Sequence, residues 1–168
     1  AFGFLWAPPS MLVDAIGGIC RRAGERGLTI ALEFLPNSGI CDIATARRIA
    51  ESCGESNCPI QLDTWHLAHT QGTAADVAAL PPGTIGAMQL CDRTEPPPGT
   101  PYVPMTGRDL PGEGELPLAG IVAAARANNP ALTVEVEVFS EELMNLPIDA
   151  AAARTAAAVA AWREAAGI

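Results

Sequence analysis

Residues 61–70 read QLDTWHLAHT, and the way this stretch is read decides the fold. It follows Cys58-Pro59-Ile60, so that CPIQLD has the form of a buried strand about to end: a short apolar run closing on an acid. Three residues beyond Asp63 stands His66, and His69 follows after another three; these are the chain's 2 histidines. Asp63 has two readings. A carboxylate opening a helical segment caps its free amides. A carboxylate at the carboxyl end of a buried strand is also where α/β proteins gather ligands. His66 divides the same way, between a hydrogen-bonded structural histidine and a group facing a ligand. His69, farther on, reads as structural or surface.

Working outward, helix and strand patterns alternate. PPSMLVDAIGGICRRAGERG (8–27) has a proline-serine start, apolar residues near helical spacing and a glycine stop. LTIALEF follows as a buried strand, then the helix CDIATARRIAESCG with Asp42 as N-cap, the strand PIQLD, the short helix TAADVAAL and the strand IGAMQLCD. LPLAGIVAAARANNP is a helix, LTVEVEVF a strand, and PIDAAAARTAAAVAAWREAAG an alanine-rich helix ended by Gly167. Strands separated by helices predict parallel βα units in a single domain over 1–168. The long irregular segment from Arg93 to Glu115, rich in proline and glycine, reads as a functional loop.

Each strand closes on an oxygen donor: Glu33, Asp63, Gln89 and Glu137. Parallel α/β folds bind ligands at the carboxyl ends of their strands, so these four converge on one expected site. Oxygen-rich sets suit Mn²⁺, Mg²⁺ or Co²⁺ better than structural zinc. Glu135 and Glu137 share a strand face, two residues apart. Glu137, nearer the strand's end, is the expected ligand, which leaves Glu135 one layer deeper and in need of a partner such as an arginine.

Composition excludes several classes. A net charge of −9 lacks the basic face of a nucleic-acid binder, and no run of about eighteen apolar residues indicates a membrane span. The 10 basic side chains are all arginine, so neither a Schiff-base lysine nor a P-loop lysine is present. Acid–base chemistry must come from carboxylates, histidine, cysteine, the lone Tyr102 or a metal-bound water. The 5 cysteines are unevenly spaced, and the opening residues lack the basic n-region of a secretory leader; a cytoplasmic setting with reduced thiols is expected.

At the strand-end residues the chain resembles the sugar phosphate isomerase/epimerase family, the xylose isomerase-like TIM barrels. ALEF, LDTWH, MQLCD, GRDLPGEGELPL and VEVFS match that family's active-site segments in order, over nearly the whole chain. The resemblance implies one divalent metal held by Glu33, Asp63, Gln89 and Glu137. It implies His66 as a substrate-facing and catalytic group and Arg108 as a substrate contact that is no metal ligand, so that its loss is expected to leave metal affinity nearly unchanged. Glutamine at 89 departs from the histidine common in the epimerases, and similar dehydratases carry glutamine there. A full (β/α)₈ barrel takes about 250 residues, and only four strands are legible. The chain is therefore expected to be the last four strands of a TIM barrel, a parallel (β/α) half-barrel. AFGFLWAPPS resembles the approach to the fifth strand, and a missing N-terminal half or a self-association partner would complete the fold.

The resemblance implies a small sugar or related polyhydroxy substrate and an isomerase or epimerase acting through an enediolate. Glu33 and Glu137 would move the proton, His66 and Arg108 would meet the oxyanion, and loop 93–116 would close over the substrate. A dehydratase of the 3-dehydroshikimate or inosose type would share the enolate and expel a β-hydroxyl. A non-catalytic half-barrel stands as the third reading.

Overall fold

A computed structural model describes residues 7–101, 103 and 106–168. The opening residues 1–6 and Tyr102 lie outside the described residues, and with them the proposed approach to a fifth strand and the phenol considered for acid–base work. In chain order the elements are α1 (Pro9–Gly24), β1 (Leu32–Glu33), α2 (Ile43–Cys53), β2 (Ile60–Asp63), α3 (Thr64–His69), α4 (Ala74–Ala78), β3 (Ile85–Leu90), α5 (Leu118–Asn128), β4 (Thr133–Val136), α6 (Glu141–Met144) and α7 (Ile148–Ala166).

The four strands form one parallel sheet in the order β1-β2-β3-β4. A doubly wound sheet reverses its strand order part-way and takes helices on both faces. Here the order is sequential, and the core lies on one face: Leu32, Ile60, Leu62, Met88 and Leu90 pack with Leu12 and Ile16 of α1, Ile43 and Ile49 of α2, Val77 of α4 and Ile121 and Val122 of α5. The opposite face carries Glu33, Gln61, Ala87, Gln89, Thr133 and Glu135, by the alternation of strand side chains, and none of these is fully buried. Glu135 is exposed, so it has no need of the arginine partner expected for a deeper layer. Sequential parallel strands with helices on one side are consecutive units of a (β/α) barrel, and four of them make a half-barrel.

Local chemistry sets the boundaries. Proline opens α1, where a missing amide costs nothing, and Arg21 and Arg22 close it against the negative end of the helix dipole. Asp42 caps α2 by accepting from the Thr45 amide at 2.7 Å, and Gly54 ends it at φ 71°. Asn128, at the end of α5, donates to the carbonyls of Leu80 and Pro81 and accepts from the Ile85 amide, clamping the turn that leads into β3. The register slips between Ile60 and Gln61, and a Cβ on Gly86, opposite the slip, would fall 2.4 Å from Pro59.

Register also places the strand ends. Glu33 pairs with Gln61, Gln61 with Ala87 and Ala87 with Thr133, whereas Asp63 pairs with Gln89 and Gln89 with Glu135. Glu33 thus sits one same-face step before Asp63 and Gln89, and Glu137 one step after Glu135. From Glu33 to Glu137 the site climbs 4 residues past the ladder partner Thr133, half of the shear of about 8 that a closed eight-stranded barrel requires. The strand expected over 132–139 ends at Val136, but the Glu137 amide still donates to the Leu90 carbonyl at 3.2 Å.

Candidate metal and active site

The two readings of Asp63 both hold, one oxygen each. Oδ1 accepts from the backbone amides of Trp65 at 2.7 Å and His66 at 3.1 Å, capping α3. Oδ2 accepts from Arg108 Nη1 at 2.8 Å and lies 3.9 Å from His66 Nε2. Asp63 as a possible cap was the one notice of α3, because its six residues are too few for a helical period to show. Its cap turns the chain back so that His66 Nε2 stands 3.5 Å from Glu33 Oε1. Donor atoms of Glu33, Asp63 and His66 all lie within 4.8 Å of one another, a spacing that one ion with oxygen and nitrogen ligands at about 2.0–2.6 Å can span.

Gln89 and Glu137 lie alongside. Gln89 Nε2 donates to Glu137 Oε1 at 2.9 Å, while Gln89 Oε1 is buried with no partner among the described residues. Buried polar atoms are normally satisfied, so the unmatched amide oxygen fits an oxygen ligand for a cation, whereas Glu137 is not among the three residues whose donor atoms lie within 4.8 Å of one another. His66 Nδ1 is likewise buried and unmatched. Burial pushes the Glu137 carboxyl up from its ordinary value; the Arg108 charge opposes this, and the Asp63 and Glu33 carboxylates add to it.

Arg108 turns inward. It is 5 % exposed, and Nη2 lies 3.3 Å from Glu137 Oε2 while Nη1 also donates to the Glu137 carbonyl at 3.2 Å. Its guanidinium is 5.2 Å from the Trp65 ring centre and 5.5 Å from that of Phe139. Burial, the largest single influence, works against its charge, but Asp63, Cys91 and Glu137 together outweigh it and hold the guanidinium above its ordinary range. The acids near it in sequence bond elsewhere: Asp109 accepts from Thr94, Glu113 pairs with Arg154, and Glu115 accepts from the Glu95 amide. Arg108 is therefore bound to two of the expected ligand carboxylates.

Three contributors went unread in the sequence. Trp65 is the platform beneath Arg108, its Nε1 fixed to the Gly107 carbonyl at 3.2 Å. Phe139 supplies the second ring. Asp92, just past β3, accepts from the amides of Arg93, Leu116 and Gly112 and so ties the PGEG turn to the sheet. The last had a visible signal, an acid directly after a buried strand and before a glycine-rich turn. Arg93 and His69 sit to one side of this cluster, His69 stacked on Trp65 with ring centres 3.7 Å apart.

The strand ends of this parallel half-barrel collect acids, a histidine and an arginine, and three of these residues could hold a metal ion. A profile of the xylose isomerase-like TIM barrel matches residues 10–165, and the chain belongs to that family. Among curated proteins it is similar to a 3-dehydroshikimate dehydratase of Pseudomonas aeruginosa, 26% identical over 150 residues that cover 83% of this chain and 22% of that protein. Among solved structures it superposes on the IolI protein with a bound zinc atom (TM-score 0.83, 21% identity, 93% of this chain and 56% of that one). It also superposes on a D-psicose 3-epimerase in the presence of D-fructose (TM-score 0.72, 19% identity, 93% and 55%). The chain spans about half the length of these solved structures and about a fifth of the curated relative. Among the described residues no helix is long and apolar enough to cross a membrane.

Proposed function

We propose that the chain carries the metal-binding half of a divalent-metal-dependent isomerase or epimerase acting on a small sugar, sugar phosphate or related polyhydroxy carbonyl compound. The observation that supports this most is the convergence of Glu33, Asp63 and His66 to within 4.8 Å, beside the Gln89–Glu137 pair. The donor set fits one Mn²⁺, Mg²⁺ or Co²⁺ ion: Glu33, Asp63, Gln89 and Glu137 would hold it, and His66 Nε2 lies close enough to join them. Bound there, the ion would polarise a substrate carbonyl and ease loss of the neighbouring carbon-bound proton.

The side chains divide the rest. Glu137, whose carboxyl is lifted by burial, takes and returns the proton, and Glu33, at the far end of the group, serves the opposite face of the substrate. Arg108 and His66 donate to the oxygen on which negative charge develops. Trp65 and Phe139 hold the guanidinium in place. Asp92 and Asp109, whose backbones pair, pin the base of the loop from which Arg108 projects. The 5 cysteines are all unpaired, in keeping with a reducing, cytoplasmic setting. The open polar face of the sheet would be covered by a complementary half-barrel or a second copy.

A lyase reading shares this site, and it is supported by similarity to the 3-dehydroshikimate dehydratase together with glutamine at 89. The two reactions separate by product, since dehydration yields a conjugated product absorbing in the ultraviolet. In the full-length parent protein, Glu137→Gln should abolish exchange of the substrate's α-proton with solvent deuterium while circular dichroism stays unchanged. Exchange at the normal rate would remove Glu137 from the proton transfer. A chain that binds Mn²⁺ yet stays inert beside a complementary half would support the non-catalytic reading.

A further inference from the structure

A cavity of about 310 Å³ lies between α3 and the loop that follows β3, at the small end of the range for ligand pockets. Among the described residues Trp65, His69, Gln71, Arg93, Thr106 and Gly107 line it, and none of the strand-end donors does. Its charged groups are Arg93, 8 % exposed, and Glu95, which pairs with it. Nη1 lies 3.1 Å from His69 Nδ1, Nη2 meets the carboxylate of Glu95, and Nε is buried with no partner among the described residues. Nε and Nη2 share the edge of a guanidinium that a carboxylate grips with both oxygens. Glu95 fills one half of that fork with a side chain that is itself 70% exposed.

A guanidinium removed from water costs free energy unless its donors are met. The partner it has is the least anchored kind, an exposed carboxylate two residues away in a loop. Beside it the His69 ring is backed by Trp65, inclined 29° to it. Burial lowers the His69 pKa, with the Arg93 charge adding to the effect, so the imidazole stays neutral and the cavity's positive charge is that of Arg93 alone. With Glu95 displaced, one positive charge, an open fork and one flat wall suit a ligand with a single carboxylate on a planar body.

We propose that this cavity is a binding site for a small planar carboxylate, separate from the metal cluster, in which Arg93 grips the carboxylate, the His69 ring packs against the planar body, and Glu95 is the internal group that the ligand displaces. The roles of Arg93 and Glu95 are opposite in sign, and that makes the proposal testable with a simple probe. Benzoate, cyclohexanecarboxylate and inorganic phosphate would be titrated calorimetrically into the chain and into its Arg93→Gln and Glu95→Gln variants, each with chelator and with Mn²⁺. Benzoate should bind the unaltered chain and bind Glu95→Gln about threefold more tightly, because an exposed competing ion pair is removed. Arg93→Gln should weaken it at least about tenfold, the scale of a charge-assisted hydrogen bond. Cyclohexanecarboxylate should bind less tightly, and chelator should leave benzoate binding unchanged. Absence of benzoate binding to both the unaltered chain and Glu95→Gln would overturn the site, and that result does not rely on an Arg93 variant folding. Binding abolished by chelator would assign benzoate to the metal cluster instead, and phosphate binding as tightly as benzoate would overturn the carboxylate assignment.

Discussion

Replacing Arg108 with methionine keeps the unbranched apolar stem of the side chain and removes the charged guanidinium. In the structure this guanidinium meets Asp63 Oδ2 at 2.8 Å and Glu137 Oε2 at 3.3 Å, in a site where Asp63 is 1 % exposed. Breaking a buried pair by deleting one partner costs about 3–5 kcal/mol. Asp63 keeps two helix amides on its other oxygen, which argues for the low end, about 3 kcal/mol. At this chain length each kcal/mol shifts Tm by about 2–4 °C, so a fall of about 10 °C is expected in chelator. A cation held by the same carboxylates changes the balance. At about 5 Å and an effective dielectric of about 20, two unit charges interact by roughly 3 kcal/mol, so the guanidinium opposes an incoming ion. Without it Mn²⁺ should bind at least about tenfold more tightly, a step of about 1.4 kcal/mol, and saturating Mn²⁺ should restore most of the lost Tm. Thermal unfolding followed by circular dichroism, in chelator and in Mn²⁺, together with calorimetric titration of the ion, measures both quantities. An equal Tm loss in the two conditions with unchanged affinity would show that Arg108 is only packed there. Weaker Mn²⁺ binding would show that it orients the ligands rather than competing with the ion.

Gly114→Ala should cost about 1–3 kcal/mol in chemical denaturation, because its Cβ would lie 2.5 Å from both the Arg93 amide and Asp92 Oδ1, where backbone must move. Asp42→Ala should cost about 1 kcal/mol by removing the cap of α2. The hydroxyl and amide of Thr73 hold the Asp76 carboxyl below its usual value of 3.8. The capping box of α4 therefore contributes fully above that pH and fades as pH falls through the lower folded value. The Tm difference between the unaltered chain and Asp76→Asn should accordingly shrink between about pH 5 and about pH 2, and a constant difference would refute the assignment.

The strands and longer helices were legible because burial writes a period into them: LTIALEF, PIQLD and IGAMQLCD are apolar where the helices cover them. Even so, β1 contracts to Leu32–Glu33, an edge strand that among the described residues has a neighbour on one side only. The four strand-end donors were legible for the same reason, since an acid or amide terminating an apolar run stands out. What could not be read was distance. Arg108 reaches Asp63 across 45 residues of chain, through a loop whose path is set by backbone bonds to Asp92 that no local pattern encodes. His66 was read as facing a substrate beside the metal ligands. The structure brings its Nε2 to 3.5 Å from Glu33 and 3.9 Å from Asp63, a placement that depends on a six-residue helix whose one mark in the sequence is its capping acid.

The division of Asp63 narrows what can stand at that position. Asparagine could still offer an oxygen to the helix amides, but it brings no negative charge for Arg108 or a cation. Glutamate keeps the charge, but its extra methylene carries the oxygens past the amides of Trp65 and His66. Serine caps a helix well and does nothing else. Each of these replacements would serve one of the two tasks and forfeit the other. No replacement at this position serves both tasks, so the acid–histidine cluster and the start of α3 are tied to the same residue.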